Sequence, residues 1–175
     1  QAGWKWTIPL GIFEVFAKGA SPVWIGLYAL DLDRGSPALI VAPLLAVTGH
    51  NWSIFLRFSG GRGIVTAGGA MFALLSLLPW ELILFVAIAM AGWAIFRASG
   101  PSVLVSLLLL PFWSWLLNEP ASLTTFFGVL IGLVAAKRLL ANWEPAPDGL
   151  PLRKVLLNRL LKDRDTDRRE DWIDR

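Results

Sequence analysis

The 175-residue chain has no cysteine and a single histidine. The first absence removes a disulfide framework, and the two together leave no thiolate or histidine cluster to hold a metal. Charge is also scarce, with Asp, Glu, Lys and Arg at 17% of residues. No carboxylates gather in the apolar stretches, so neither a protein-built metal centre nor a cofactor is expected. The sequence pI is about 9.7, yet the cations fall at the ends of apolar runs and in one tail. That distribution does not make a nucleic-acid surface. What abounds is apolar: 55% hydrophobic residues and ten tryptophans, with a mean hydropathy of +0.59. Ordinary soluble domains are far less apolar, and Trp favours membrane–water boundaries. The fold class expected is all-α: a polytopic helical membrane protein with about six spans and a C-terminal amphipathic helix.

The first apolar run covers about Ile8 to Leu30, close to the ~20 residues a bilayer core requires, with Trp4, Lys5 and Trp6 as an interfacial anchor. Glu14 and Lys18 inside it stand four apart, on one helix face, where they can pair. Pro22 should kink this span. Asp31 to Pro37 is rich in breakers and reads as a turn. A second span runs from about Ala38 to Phe55, broken near Thr48-Gly49-His50. A third covers Ile64 to Leu78, with Gly68-Gly69-Ala70 as a small-residue packing face. Pro79-Trp80-Glu81 reads as a hairpin turn, and a fourth span reaches Phe96. Arg97 to Ser102 turns into a fifth span ending near Leu117. Asn118-Glu119-Pro120 leads into the sixth, ending near Leu140.

Lys5, Arg57, Arg62, Arg97, Lys137, Arg138 and the tail cations share one side under this count. The other side has Asp31, Asp33, Arg34, Glu81 and Glu119. Positive residues mark the cytoplasm, so both termini are expected there. Residues 142–149 form a polar linker. In residues 151–162, Leu152, Val155, Leu156 and Leu160 fall on one face among cations, the pattern of a helix lying on a membrane surface or a partner. Residues 163–174 mix both signs densely and read as a solvated end.

One loop stands apart. His50 and Gly60-Gly61-Arg62-Gly63 lie between two apolar runs, and Ile64 opens a helix directly after them. Glycines leave backbone N–H groups uncovered, a helix N-terminus favours anions, and Arg presents a planar fork to phosphate. A phosphate-binding loop is one reading. A tight inter-helix turn with Arg62 as a topology anchor is the other.

Gly49, His50, Phe55, Leu56, Phe58, Gly60, Gly61, Gly63 and Thr66 match in register a motif reading roughly G-H-x-x-P-x-F-L-x-F-x-G-G-K-G-V-A-T. In this respect the chain resembles the bacterial acyl-phosphate-dependent glycerol-3-phosphate acyltransferases. Arg62 stands where that family has Lys, Ser53 where it has Pro and Val65 where it has Ala. Lys18-Gly19, Arg97 with Ser99 and Ser102, and Lys137-Arg138-Leu139-Leu140 with Glu144-Pro145 resemble its other motifs. The resemblance covers residues 1–145 and leaves 146–175 as a cytoplasmic tail.

By resemblance, the chain sits in a bacterial cytoplasmic membrane and transfers an acyl group from acyl phosphate to glycerol 3-phosphate in phospholipid synthesis. Gly60, Gly61, Arg62 and Gly63 would hold substrate phosphate, and His50 is a motif position without an assigned role. Catalytic residues stay unassigned. The family's Ser-Gly-Asn loop, expected after a first span, has no counterpart here, and six spans starting inside fit the family's seven with that first span removed. Gly132 and Ala135 occupy positions where its last motif has His and Asn. The alternative is a catalytically degenerate accessory or scaffold subunit of a larger membrane complex. A transporter built on Glu14 and Lys18 is disfavoured because no repeat of the two halves is visible.

Overall fold

The computed structural model describes residues 3–75 and 80–167. The first rod, α1, runs through Trp4–Phe13, Glu14–Ala20, Ser21–Trp24 and Ile25–Ala29, the second and fourth stretches wound as wider π turns. The expected disturbance at Pro22 thus takes the form of two π stretches bracketing a proline that has no N–H to donate. Ser36 caps α2 (Pro37–Asn51), its Oγ accepting from the Ala38 N–H at 3.3 Å, and Pro37 takes the first helical position. The remaining helices are α3 (Ile64–Leu74), α4 (Trp80–Phe96), α5 (Ser99–Leu116), α6 (Ala121–Leu140) and α7 (Leu152–Lys162). The described residues contain no strand; Ser53 and Ser59 form one isolated bridge.

Among the described residues three stretches are long and apolar enough to cross a membrane: Lys5–Ala29, Ser99–Leu116 and Ala121–Trp143. The other three expected spans are, as far as the described residues go, shorter apolar helices of 15, 11 and 17 residues, the last at the lower end of the ~17–25 residues of a crossing helix. Residues 76–79, where the third span was expected to end and Pro79 to turn, lie outside the described residues.

Close backbone packing joins α1 to α3. A Cβ on Gly19 would strike the Thr66 carbonyl and lie 2.9 Å from Gly69 Cα; one on Gly69 would strike the Val15 carbonyl. Lipid tails give apolar helices no reason to associate, so such small-residue contacts supply the attraction. Arg34 Nη1 closes the end of α3, donating to the Leu74 and Leu75 carbonyls at 3.0 and 2.9 Å. Phe126, Phe127, Leu130 and Val134 of α6 fill the centre with Leu107 and Leu110 of α5 and Leu39 and Val47 of α2.

Several boundaries differ from the sequence reading. The break in the second span comes at Trp52, because Thr48, Gly49 and His50 continue the helix and the Trp52 N–H still reaches the Thr48 carbonyl at 2.9 Å. Trp80 and Glu81 begin α4 rather than forming a turn. The turn before α5 is only Arg97 and Ala98: Ser99 to Ser102 are already helical, and Pro101 is tolerated in the first turn where its missing N–H is not needed. The α7 helix forms as expected, and of its expected apolar face Val155 packs on the bundle and Leu160 is half-buried, while Leu152 and Leu156 stay exposed. Asn158 and Arg159 are buried as well, and Leu157 and Leu161 are exposed. Arg159 turns inward because Asp165 and three backbone carbonyls satisfy its guanidinium.

Candidate functional site

After Trp52 the chain makes a short 3-10 turn, Ile54–Leu56, and then passes through left-handed Arg57 and Phe58. This brings Gly60 and Gly61 back onto the end of α2. A Cβ on Gly60 would strike the His50 and Asn51 carbonyls, and one on Gly61 would strike the His50 ring. Gly63 caps α3 with φ +70, a conformation L side chains resist, and a Cβ there would lie 2.5 Å from Asn51 Oδ1. These glycines are required by close approach and by φ, whatever they bind.

Two faces open from this loop. On one, Glu14, Lys18, His50, Gly60 and Gly61 line a groove of about 1060 Å³ whose walls include Trp52, Ile54 and Phe55. Glu14 Oε1 accepts from Lys18 Nζ at 3.4 Å and meets His50 Nδ1 at 3.2 Å. The i, i+4 pair expected from sequence therefore forms, and His50 joins it from a second helix. Phe55 is 90% exposed and Ile54 67%, so the groove's apolar wall continues onto the exposed surface.

On the other face, Arg62 turns away from that groove and donates from Nε to Asp163 Oδ1 at 2.7 Å. Arg62, Arg138, Arg159 and Arg164 surround a cavity of about 120 Å³ with Asn142, Asp163 and Asp165. Arg138 donates to the Leu160 carbonyl at 2.8 Å and to the Gly100 carbonyl at 3.0 Å. The Nε atoms of Arg138 and Arg164 are buried without an acceptor among the described residues. A guanidinium N–H in that state is costly, and the cationic lining of the cavity suits an oxyanion.

Lys137 is fully buried; its ammonium donates to the Asn51 carbonyl and, at 2.6 Å, to Asn142 Oδ1, and lies 5.4 Å from the centre of the Trp52 ring. Because Asn51 ends α2, the cation sits where the helix dipole is negative. Asn142 Oδ1 also accepts the Gly60 N–H at 3.2 Å. That N–H is therefore paired within the protein. Of the expected phosphate group, Gly60, Gly61 and Gly63 form the loop, and Arg62 meets the tail. Sequence reasoning placed Lys137 and Arg138 in a motif without assigning them to the site, and it missed Asn142, Arg159 and Asp163. In the structure Asn142 sits at φ +57 between Ala141 and Trp143, both also at positive φ, a region Asn tolerates well; its identity just after the last span was the one trace of this in the sequence.

A family model described as glycerol-3-phosphate acyltransferase matches residues 1–144. The chain belongs to that family. Glycerol-3-phosphate acyltransferase 4 of Dehalococcoides mccartyi (strain CBDB1) is 30% identical over 181 residues, covering 99% of this chain and 74% of the relative. The glycerol-3-phosphate acyltransferase of Vibrio cholerae serotype O1 (strain ATCC 39541 / Classical Ogawa 395 / O395) is 35% identical over 136 residues, covering 73% and 61%. Among solved structures, the glycerol 3-phosphate form of PlsY (YgiH), an integral membrane glycerol 3-phosphate acyltransferase, shares the fold. Its TM-score is 0.68 at 21% identity, over 82% of this chain and 72% of that one. The acyltransferase fold thus accounts for the apolar helices, and the protein is an integral membrane protein of this family.

Proposed function

We propose that this chain transfers an acyl group from acyl phosphate to glycerol 3-phosphate at the cytoplasmic face of a bacterial membrane, with both termini on that face. The observation that carries the reading is the meeting of cations from three separate segments, Arg62, Arg138 and Arg159, around a small cavity beside the glycine loop, with the apolar groove on the loop's other side. The acyl chain has an apolar wall to follow, and phosphate has guanidinium groups to meet.

In the reaction, a hydroxyl oxygen of glycerol 3-phosphate attacks the acyl carbonyl carbon. A new ester C–O bond forms, the bond from that carbon to the phosphate oxygen breaks, and the hydroxyl proton leaves with the electron-rich phosphate or a base. The products are lysophosphatidate and inorganic phosphate. Both substrates carry phosphate, so holding them together and offsetting their charge supplies much of the rate. Gly60, Gly61, Arg62 and Gly63 serve phosphate binding, and His50 lines the groove with Glu14.

The experiment is an assay of the purified chain in lipid vesicles with acyl phosphate and radiolabelled glycerol 3-phosphate. Labelled lysophosphatidate matched by phosphate release supports the reading, and Arg62→Ala should weaken binding of glycerol 3-phosphate by about 1.5–3 kcal/mol. A folded protein that neither binds glycerol 3-phosphate nor makes product rejects it. A second reading, an accessory subunit using the family fold as a scaffold for other membrane proteins, is favoured by Gly132 and Ala135, which offer no side chain for proton transfer or hydrogen bonding.

A further inference from the structure

Asp163 follows α7 directly, as its left-handed cap at φ +57, and its carboxylate lies on Arg62. The two residues stand 101 positions apart. The tail does not depend on this contact for its place. Arg159 holds Asp165 through two bonds, at 2.6 and 3.3 Å, with both side chains buried. Arg138 holds the Leu160 carbonyl. Lys154 and Lys162 hold Asp167 at 2.6 and 2.7 Å. The Arg62–Asp163 pair is more open, its side chains 29% and 26% exposed, and it borders the cavity that Arg138 and Arg164 also line.

We propose that Asp163 occupies the position on Arg62 that the phosphate of glycerol 3-phosphate takes on binding, so that this tail carboxylate sets the affinity of the site. The inference rests on the reading of Arg62 as a phosphate-binding residue. A phosphate arriving at Arg62 displaces one carboxylate oxygen and enters a cavity lined by the further cationic side chains of Arg138 and Arg164, whose charge favours an anion that brings two negative charges over a single carboxylate. Asp163 swings aside without undocking α7, because the neighbouring clamps are separate. The carboxylate also keeps Arg62 neutralised while the site is empty. It disfavours anions that bring a single negative charge and cannot offset the loss of the pair. Asp163 is thus an affinity- and specificity-determining residue; it makes no bond to the reacting atoms.

The test is calorimetric titration of glycerol 3-phosphate into the purified full chain in detergent, with a thermal melt on each protein. Four proteins are compared: wild type, Asp163→Asn, Asp167→Asn and Arg62→Ala. Asn keeps the size of Asp and tolerates the left-handed backbone, so Asp163→Asn removes charge while sparing the cap. The expected result is binding about threefold tighter for Asp163→Asn, the scale of a part-exposed ion pair, with a melting temperature lowered only by the small amount that losing the same pair costs. In the vesicle assay the same variant lowers KM for glycerol 3-phosphate and leaves kcat within a factor of about two, the split expected when only substrate binding changes. Asp167→Asn, whose partners are Lys154 and Lys162, binds as wild type. If Asp163→Asn binds no tighter while Arg62→Ala weakens binding, the exchange is wrong and the phosphate site stands. A fall in melting temperature with no gain in affinity makes the pair a structural clamp and also overturns the exchange. If Arg62→Ala binds as well as wild type, or wild type does not bind, the reading of Arg62 fails and this inference fails with it.

Discussion

Asn142 Oδ1 takes the backbone N–H of Gly60 at 3.2 Å across 82 positions of sequence. The same oxygen accepts from the buried ammonium of Lys137 at 2.6 Å, so one amide ties the glycine loop to the end of α6 and shares the Lys137 charge with the last carbonyl of α2. Asn142→Gly tests this directly, since Gly keeps the positive φ and removes only the side chain. The variant should lose about 1–3 kcal/mol of stability, the cost of leaving one charged and one backbone donor short of an acceptor. A thermal or denaturant melt in detergent measures it. A melt equal to wild type would mean the amide is not holding the loop.

The helical class, the membrane character and the position of the loop were legible in the sequence because each rests on local residue type: long apolar runs, Trp at their ends, glycines between. The Glu14–Lys18 pair was legible for the same reason, being set by helical spacing. His50 joining that pair was not, since it depends on how α2 packs beside α1. Arg159 read as one of several cations on a surface helix, and the structure buries it with Asp165. Periodicity reports which residues share a face; it does not report which face finds partners. The leucines of α7 suggested an apolar side for a membrane surface or a partner, while the docking on the bundle rests also on an ion pair and carbonyl contacts, made with residues 14 to 22 positions away as well as with Asp165. Arg62 was read as an anion ligand or a topology anchor, and nothing local could show that its side chain meets Asp163.

Asp167 gives the tail a signature in acid. Hydrogen bonds from Lys154 and Lys162 hold its carboxyl well below the usual carboxylate range. A depressed pKa in the folded protein means the contribution is fully present above the unfolded value of about 3.9. It is lost progressively as pH falls below that value and through the lower folded one. The difference in melting temperature between wild type and Asp167→Asn should therefore be constant at neutral pH and shrink as the buffer is taken below about 4. A difference that grows in acid would contradict the sign. The carboxylate is solvent-accessible, so added salt should weaken the effect at any pH.

The contact between Gly61 and His50 predicts a coupling that can be measured in a double-mutant cycle. The three nearest atoms to a Cβ built on Gly61 all belong to the His50 ring: Nε2 in direct collision, then Cε1 at 3.1 Å and Cδ2 at 3.2 Å. Its φ lies outside the left-handed region, so alanine meets no backbone strain there and the cost is overpacking alone. Gly61→Ala should destabilise the protein by about 1–3 kcal/mol. His50→Ala removes every atom in the way, so Gly61→Ala made in that background should cost much less, with a coupling of about 1 kcal/mol or more. Gly60→Ala is the contrast. A Cβ there meets the carbonyls of His50 and Asn51, and truncating the His50 side chain moves neither. Its cost should be the same in both backgrounds. Rescue of Gly61→Ala but not of Gly60→Ala would establish that the imidazole, held by Glu14 on one side, is the floor on which the glycine loop rests. Equal costs for Gly61→Ala with and without the ring would show that the loop is held elsewhere.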